Sequence, residues 1–218
     1  MTYLKWSEKK LDKSDDTTLN SLYSQGFLFG RNEKKLLYQT RSLRINLSHF
    51  ESSSENRRIL RKTENVLLKK HPLPYASYDW TIGKLGKDFY TTKFGDGTFS
   101  ANKIKELLTD VSKSNFNKLF VYTADVATVG YCIALETNEL IHYCYPFYTL
   151  EESHPNLGLG MMLKAICYTK DQGKKYIYLG SAQRPTDTYK LQFEGLEWFD
   201  GTTWKTDQDE LKKVLEKM

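Results

Sequence analysis

The feature that most constrains this chain lies between residues 118 and 180. Three β-rich runs, KLFVYT, ATVGYCIALE and ELIHYCYPFYT, are broken near Ala124-Asp125 and at Glu136-Thr137-Asn138-Glu139, the pattern of an antiparallel meander. A glycine-bearing loop, SHPNLGLG, comes next. Leu159, Met162, Leu163, Ile166 and Cys167 then recur at i, i+3, i+4, i+7 and i+8, which makes an amphipathic helix. Gly173 closes that helix, and Tyr176 to Leu179 read as a buried strand. This order predicts an α/β (α+β) fold, a mixed sheet flanked by helices.

The flanking segments are read in the same way. Asp15 and Leu19, Leu22 and Tyr23 predict a short helix that Gly26 stops, and FLFGRNEKKLLYQTRSLRINL predicts two strands around Gly30-Arg31-Asn32-Glu33. Ser52-x-x-Glu55 opens a second helix with Ile59, Val66 and Leu67 near one face, ended by HPLP at 71–74. Residues 1–75 are thus expected to form a small N-terminal α/β lobe and residues 76–218 the main domain. There, Ser100 caps a helix with Ile104, Leu107, Leu108 and Val111 on one face, residues 186–193 are helical, and residues 196–204 form a hairpin around Asp200-Gly201.

Composition excludes several classes. With 15 Tyr and 11 Phe in 218 residues, the chain carries too many aromatics to be disordered. No apolar run approaches the ~20 residues of a membrane helix, and MTYLKWSEKKLDK lacks the apolar core of a signal peptide, so a cytoplasmic protein without membrane association is expected. Cys132, Cys144 and Cys167 are scattered and odd in number, which argues against a disulfide framework or a metal cluster. His142 and His154 have no companions at metal-ligand spacing.

The net charge of +5 is unevenly placed. Residues 31–70 hold eleven Lys and Arg against four Asp and Glu, whereas residues 1–30 balance and residues 71–218 are slightly acidic. Such a basic run suggests an anionic partner and salt-dependent association; an ordinary solvated helix face accounts for it equally well on charge alone.

The strand, glycine loop, helix, strand order resembles the core of GNAT acyltransferases, in which loop amides at the helix N-terminus bind the pyrophosphate of an acyl-CoA. Gly158 and Gly160 match the two glycines of the loop motif, but Pro155 stands at its Arg/Gln position, which disfavours ordinary acetyl-CoA use. Longer strings are more specific. LYSQGFLFGRNEKKLLY, RINLSHFESSSENRRILRK, FYTTKFGDGTFS, HYCYPFYTLEESHPNLGLGMMLKAICYTKDQGKKYIYLG and TYKLQFEGLEWFDGTTW resemble, in that order, the aminoacyl-tRNA–protein transferases, the arginyl and leucyl transferases of the N-degron pathway. The resemblance covers roughly residues 18–204. Its departures are the missing N-terminal cysteine cluster, Tyr148-Thr149-Leu150 in place of an aromatic run ending Tyr-Asp-Pro, and Thr186-Asp187-Thr188-Tyr189-Lys190 in place of Lys-Met-x-Tyr-Lys.

What the resemblance implies is a GNAT-like fold and transfer of an amino acid from aminoacyl-tRNA to the N-terminal α-amine of a protein or peptide, by a monomer without cofactor or metal. The ester is already activated, so positioning, proton removal and oxyanion stabilisation supply the catalysis. Tyr148, Tyr178, Tyr189 and Lys190 are the candidate catalytic residues. Leu157, Gly158, Leu159, Gly160 and His154 are candidates for the tRNA 3′ end, and Arg57, Arg58, Arg61 and Lys62 for its phosphates. Arg41, Arg44 and Asp125 are candidates for side-chain recognition; Arg41 and Arg44, three apart on a strand, should face opposite sides, so that at most one reaches the site. A GNAT enzyme using acyl-CoA and a non-catalytic protein that binds tRNA or N-terminal peptides remain the alternatives.

Overall fold

The computed structural model describes residues 4–151 and 155–217. In chain order the elements are β1 (Ser7–Lys10), α1 (Asp16–Ser24), β2 (Phe27–Phe29), β3 (Leu36–Gln39), β4 (Ser42–Asn46), α2 (Ser54–Lys62), β5 (Val66–Pro72), α3 (Trp80–Phe94), α4 (Ala101–Thr109), β6 (Lys118–Ala124), β7 (Ala127–Glu136), β8 (Leu140–Tyr148), α5 (Leu157–Asp171), β9 (Tyr176–Ser181), a 3-10 segment (Pro185–Gln192), β10 (Leu196–Phe199), β11 (Trp204–Lys205) and α6 (Gln208–Glu216). The mixed α/β architecture expected from the sequence is what the chain forms.

The elements assemble into two compact units that interleave along the chain: residues 1–53, 137–142 and 169–218 make the first, residues 54–136 and 143–168 the second. Both draw on residues either side of position 75, where the sequence reading puts its boundary. β5 is the physical reason, since it pairs with β6 along its whole length, from Val66↔Ala124 to Pro72↔Lys118.

In the first unit β1, β3 and β2 form a small antiparallel sheet. A second sheet runs β11, β10, β4, β9 and the start of β8; all its pairs are antiparallel except β8–β9, which run parallel from Leu140↔Tyr176 to His142↔Tyr178. Tyr23 of α1 packs its ring edge-on against Tyr178, with centroids 5.0 Å apart. Its full burial makes it the anchor of this helix.

In the second unit the rest of β8 and the antiparallel β7, β6 and β5 carry helices on both faces. On one face the Tyr122 hydroxyl donates to the Met161 carbonyl of α5 at 3.0 Å, and Phe120 meets Tyr168 edge-on. On the other, Tyr131 stacks on Phe147, and Gly86 of α3 leaves room for Ile104 of α4 and for the Phe147 ring.

The structure corrects four local expectations. The second helix stops at Lys62 and Val66–Pro72 is a strand, because Val66 and its neighbours gain a hydrogen-bonded partner in β6 while Thr63 turns the chain with its carbonyl accepting from Val66 N. Leu36–Gln39 and Ser42–Asn46 are separate strands in different sheets. Val111 lies beyond α4 and is exposed. Residues 185–192 coil as a 3-10 segment. α3 is an addition: Gly83 and Gly86 weaken its helical signature, yet both are buried where side chains of other elements crowd in.

Candidate functional site

The glycine turn opens α5, which Asn156 enters with a left-handed φ of 68°. Its two glycines admit neighbours from opposite sides, since residues two apart on a helix point about 200° apart. A Cβ on Gly158 would lie 2.2 Å from the Tyr148 hydroxyl, and one on Gly160 would lie 2.6 Å from the Thr63 side chain. The first turn of α5 is therefore held between β8 and the end of α2. Tyr148 is fixed further by Phe89, whose ring centroid is 4.6 Å away. Tyr143 of β8 is buried beside Tyr122. Burial beside Tyr122, Cys132 and Tyr148 holds that phenol well above its ordinary pKa.

Thr63 is also the link to the basic helix. Asn56, Ile59 and Thr63 turn inward, so Arg57, Arg61 and Lys62 are left exposed on α2. Arg58 is neutralised locally: its Nε and Nη2 donate to the Glu55 carboxylate at 2.7 and 2.5 Å. That contact lowers the Glu55 pKa and raises that of Arg58. Within the second unit, Thr63 and Gly160 join the helix that carries Arg57, Arg58, Arg61 and Lys62 to the turn of Leu157, Gly158, Leu159 and Gly160 that Tyr148 packs against, although these cations lie on the solvent side of α2, away from the buried Asn56, Ile59 and Thr63. The amides of the first turn of α5 lack intrahelical acceptors and can hold a phosphate, and the exposed cations of α2 can hold others. Asp125 stands apart at the tip of the β6–β7 hairpin with a φ of 54°, a conformation Asp tolerates, next to fully exposed Val126. His154 lies outside the described residues.

In the first unit the candidate residues are largely interior. Arg41 precedes β4, and a register shift between Ser42 and Arg44 breaks the expected alternation, so both arginines are 8% exposed. Arg41 Nη1 donates to the Ala182 carbonyl at 3.3 Å. Arg44 Nε donates to Glu197 Oε2 at 2.6 Å and its Nη1 to the Tyr178 hydroxyl at 3.3 Å. Its guanidinium lies 4.0 Å from the Tyr176 ring centroid and 3.8 Å from that of Trp204. Tyr178 is fully buried, which pushes its phenol up to about 12 against the opposing pull of Arg44. Lys190 donates to the Ser181 carbonyl at 3.1 Å and lies 3.8 Å from Asp187, while Tyr189 is half exposed.

Sequence reasoning missed Glu197, Tyr176 and Trp204 as the partners of Arg44. Glu197 sits directly opposite Arg44 in the β10–β4 register, a pairing visible only once those strands are known to be neighbours. It also missed the Tyr23–His142 pair, in which the Tyr23 hydroxyl and His142 Nδ1 are 3.0 Å apart. Burial, with the Lys190 ammonium adding to it, pushes the imidazole down to about 3, so it is neutral. Among the described residues no three His, Cys, Asp or Glu side chains are grouped to hold a metal ion, and no helix is long and apolar enough to cross a membrane.

No protein-family profile matches the sequence, and no curated protein matches it. Solved structures do. FemX aligns with a TM-score of 0.54 at 10% identity, over 91% of this chain and 70% of its own. L-PGS from Bacillus licheniformis aligns with a TM-score of 0.50 at 12% identity, over 92% of this chain and 69% of its own. At such identities the likeness is one of fold, and it extends over nearly the whole chain.

Proposed function

We propose that the protein is an aminoacyltransferase that moves an amino acid from aminoacyl-tRNA to the N-terminal α-amine of a protein or peptide, an arginyl- or leucyl-transferase-like reaction of the N-degron type carried out by a cytoplasmic monomer. The observation that carries this reading is the junction of α2 with α5, where Thr63, just past the exposed cations of one helix, packs against Gly160 in the first turn of the other. The fold shared with FemX and L-PGS over nine-tenths of this chain is compatible with that reading.

In this reading Arg57, Arg61 and Lys62 engage acceptor-stem phosphates, with Arg58 exchanging Glu55 for a phosphate. The amides of Leu157, Gly158 and Leu159 face the 3′-terminal nucleotide. The amine attacks the ester carbonyl, a C–N bond forms, the C–O bond breaks, and the tRNA 3′ hydroxyl leaves with a proton. Tyr148, pinned against Gly158, donates to the carbonyl oxygen as negative charge develops there. Within the first unit, Arg41, Arg44 and Tyr178 are buried and engaged, so their role there is to hold one another and their neighbours in place. Asp125, exposed on its hairpin, is the acidic candidate for a cationic side chain.

The test is transfer of radiolabel from a pool of charged tRNAs to peptides beginning with Asp, Glu, Arg or Lys, each prepared with a free and with an acetylated amino terminus. Label on the free-amine peptides alone is expected. Equal labelling of the blocked peptides would move the acceptor away from the α-amine.

A further inference from the structure

The half-buried lysines of the second unit have carboxylate partners, with one exception. Lys70 Nζ donates to both Glu136 oxygens at 2.8 Å, Lys103 lies 3.1 Å from Glu106, and Lys118 lies 3.6 Å from Glu136. Lys164 of α5 is buried to a similar degree and makes no hydrogen bond or ion pair among the described residues. A partly desolvated ammonium without a counter-charge is unfavourable, and proteins normally pair it. Lys164 is one turn beyond Gly160, on the face of α5 that meets the end of α2, and Arg61 and Lys62 immediately precede Thr63 there. Glu64 is the carboxylate that acts on it, too distant for an ion pair. Desolvation outweighs that attraction and lowers its pKa.

We infer that Lys164 is an anion-binding residue, which takes a phosphodiester where α5 meets the end of α2. A phosphate at this point supplies Lys164 with the counter-charge that no described residue provides by an ion pair. The inference rests on the aminoacyl-tRNA reading for the source of the phosphodiester, but not for the existence of the anion site.

The experiment uses two probes on the full chain: an RNA hairpin with the form of an acceptor stem and a single-stranded 3′ end, and inorganic pyrophosphate. RNA binding is followed by fluorescence anisotropy across a salt series, and the Lys164 side chain by its 13Cε resonance, assigned by its absence in Lys164→Gln. Lys164→Gln should weaken RNA binding about 5- to 10-fold and reduce the slope of log K against log salt by about 1, while Lys164→Arg restores both. Lys118→Gln should leave both unchanged. Lys164→Gln should also unfold at the same or a higher urea concentration than wild type, because it removes an unpaired charge; a lowered midpoint would mark Lys164 as structural and overturn the assignment. RNA binding that depends on Arg61 but is indifferent to Lys164→Gln overturns it too. If wild type fails to bind RNA while pyrophosphate shifts the Lys164 resonance, the anion site stands and the tRNA reading falls. No RNA binding and no shift removes both.

Discussion

Arg44 and Arg61 belong to the same basic run of sequence, yet the fold uses them in opposite ways. Arg44 is stacked between Tyr176 and Trp204, paired with Glu197 and 8% exposed. Arg61 stands on the surface of α2 without a hydrogen bond or ion pair for its guanidinium among the described residues. The first unit spends Arg44 on its interior, and the second displays Arg61. A local charge excess therefore measures a binding surface only after the buried members are subtracted.

The largest expected contrast is in stability. Arg44→Ala strands Glu197, whose side chain is 13% exposed, and should cost about 3–5 kcal/mol in urea unfolding. Arg61→Ala should change stability by no more than about 0.5 kcal/mol. Comparable losses at the two sites would erase the distinction. The double variant Arg44→Met with Glu197→Leu should recover most of the first loss, since removing both charges leaves nothing buried and unpaired.

Gly160→Ala probes the seat of the displayed cations. Its Cβ would meet Thr63 Cγ2 and Oγ1 at 2.6 Å, so a loss of about 1–3 kcal/mol is expected, with part regained in the pair with Thr63→Ala. If Gly160→Ala alone is neutral, the α2–α5 contact is not close.

The buried side is sharpened by pH. His142 is neutral in the fold with a pKa of about 3, against 6.5 when unfolded. Its contribution is therefore fully present above pH 6.5 and is lost as pH falls toward 3, amounting to about 2 kcal/mol by pH 5. His142→Gln should flatten this part of the stability profile; an unchanged profile would mean the imidazole reaches solvent.

The smallest effect on stability should accompany a clear effect on binding. Charge reversal at Arg57, Arg58 and Arg61 should leave the urea midpoint within about 0.5 kcal/mol of wild type. It should weaken tRNA binding and flatten its salt dependence. Unaltered binding would return α2 to an ordinary solvated face.

The parts of this fold legible in sequence are those whose periodicity is unambiguous. β6, β7 and β8 and the breaks at Ala124-Asp125 and 136–139 fall where alternation and turn residues put them, and so does the body of α5, although that helix already starts at Leu157 and takes in both glycines expected in the loop before it. Val66-Leu67-Leu68 fits helix and strand alike, and only pairing with β6 decides it. α3 is hidden because Gly83 and Gly86 are chosen for close packing against residues far along the chain. At the candidate site, the glycine turn and α2 are legible as separate motifs. Their junction through Thr63 is not, nor is the want of a partner at Lys164 among the described residues, because both depend on which elements become neighbours.

The central claim is the donor. Purified protein incubated with free-amine peptides, tRNAs carrying labelled amino acids and, in parallel, labelled acetyl-CoA should transfer label from at least one charged tRNA and none from acetyl-CoA. Transfer from acetyl-CoA with none from any tRNA would contradict the account.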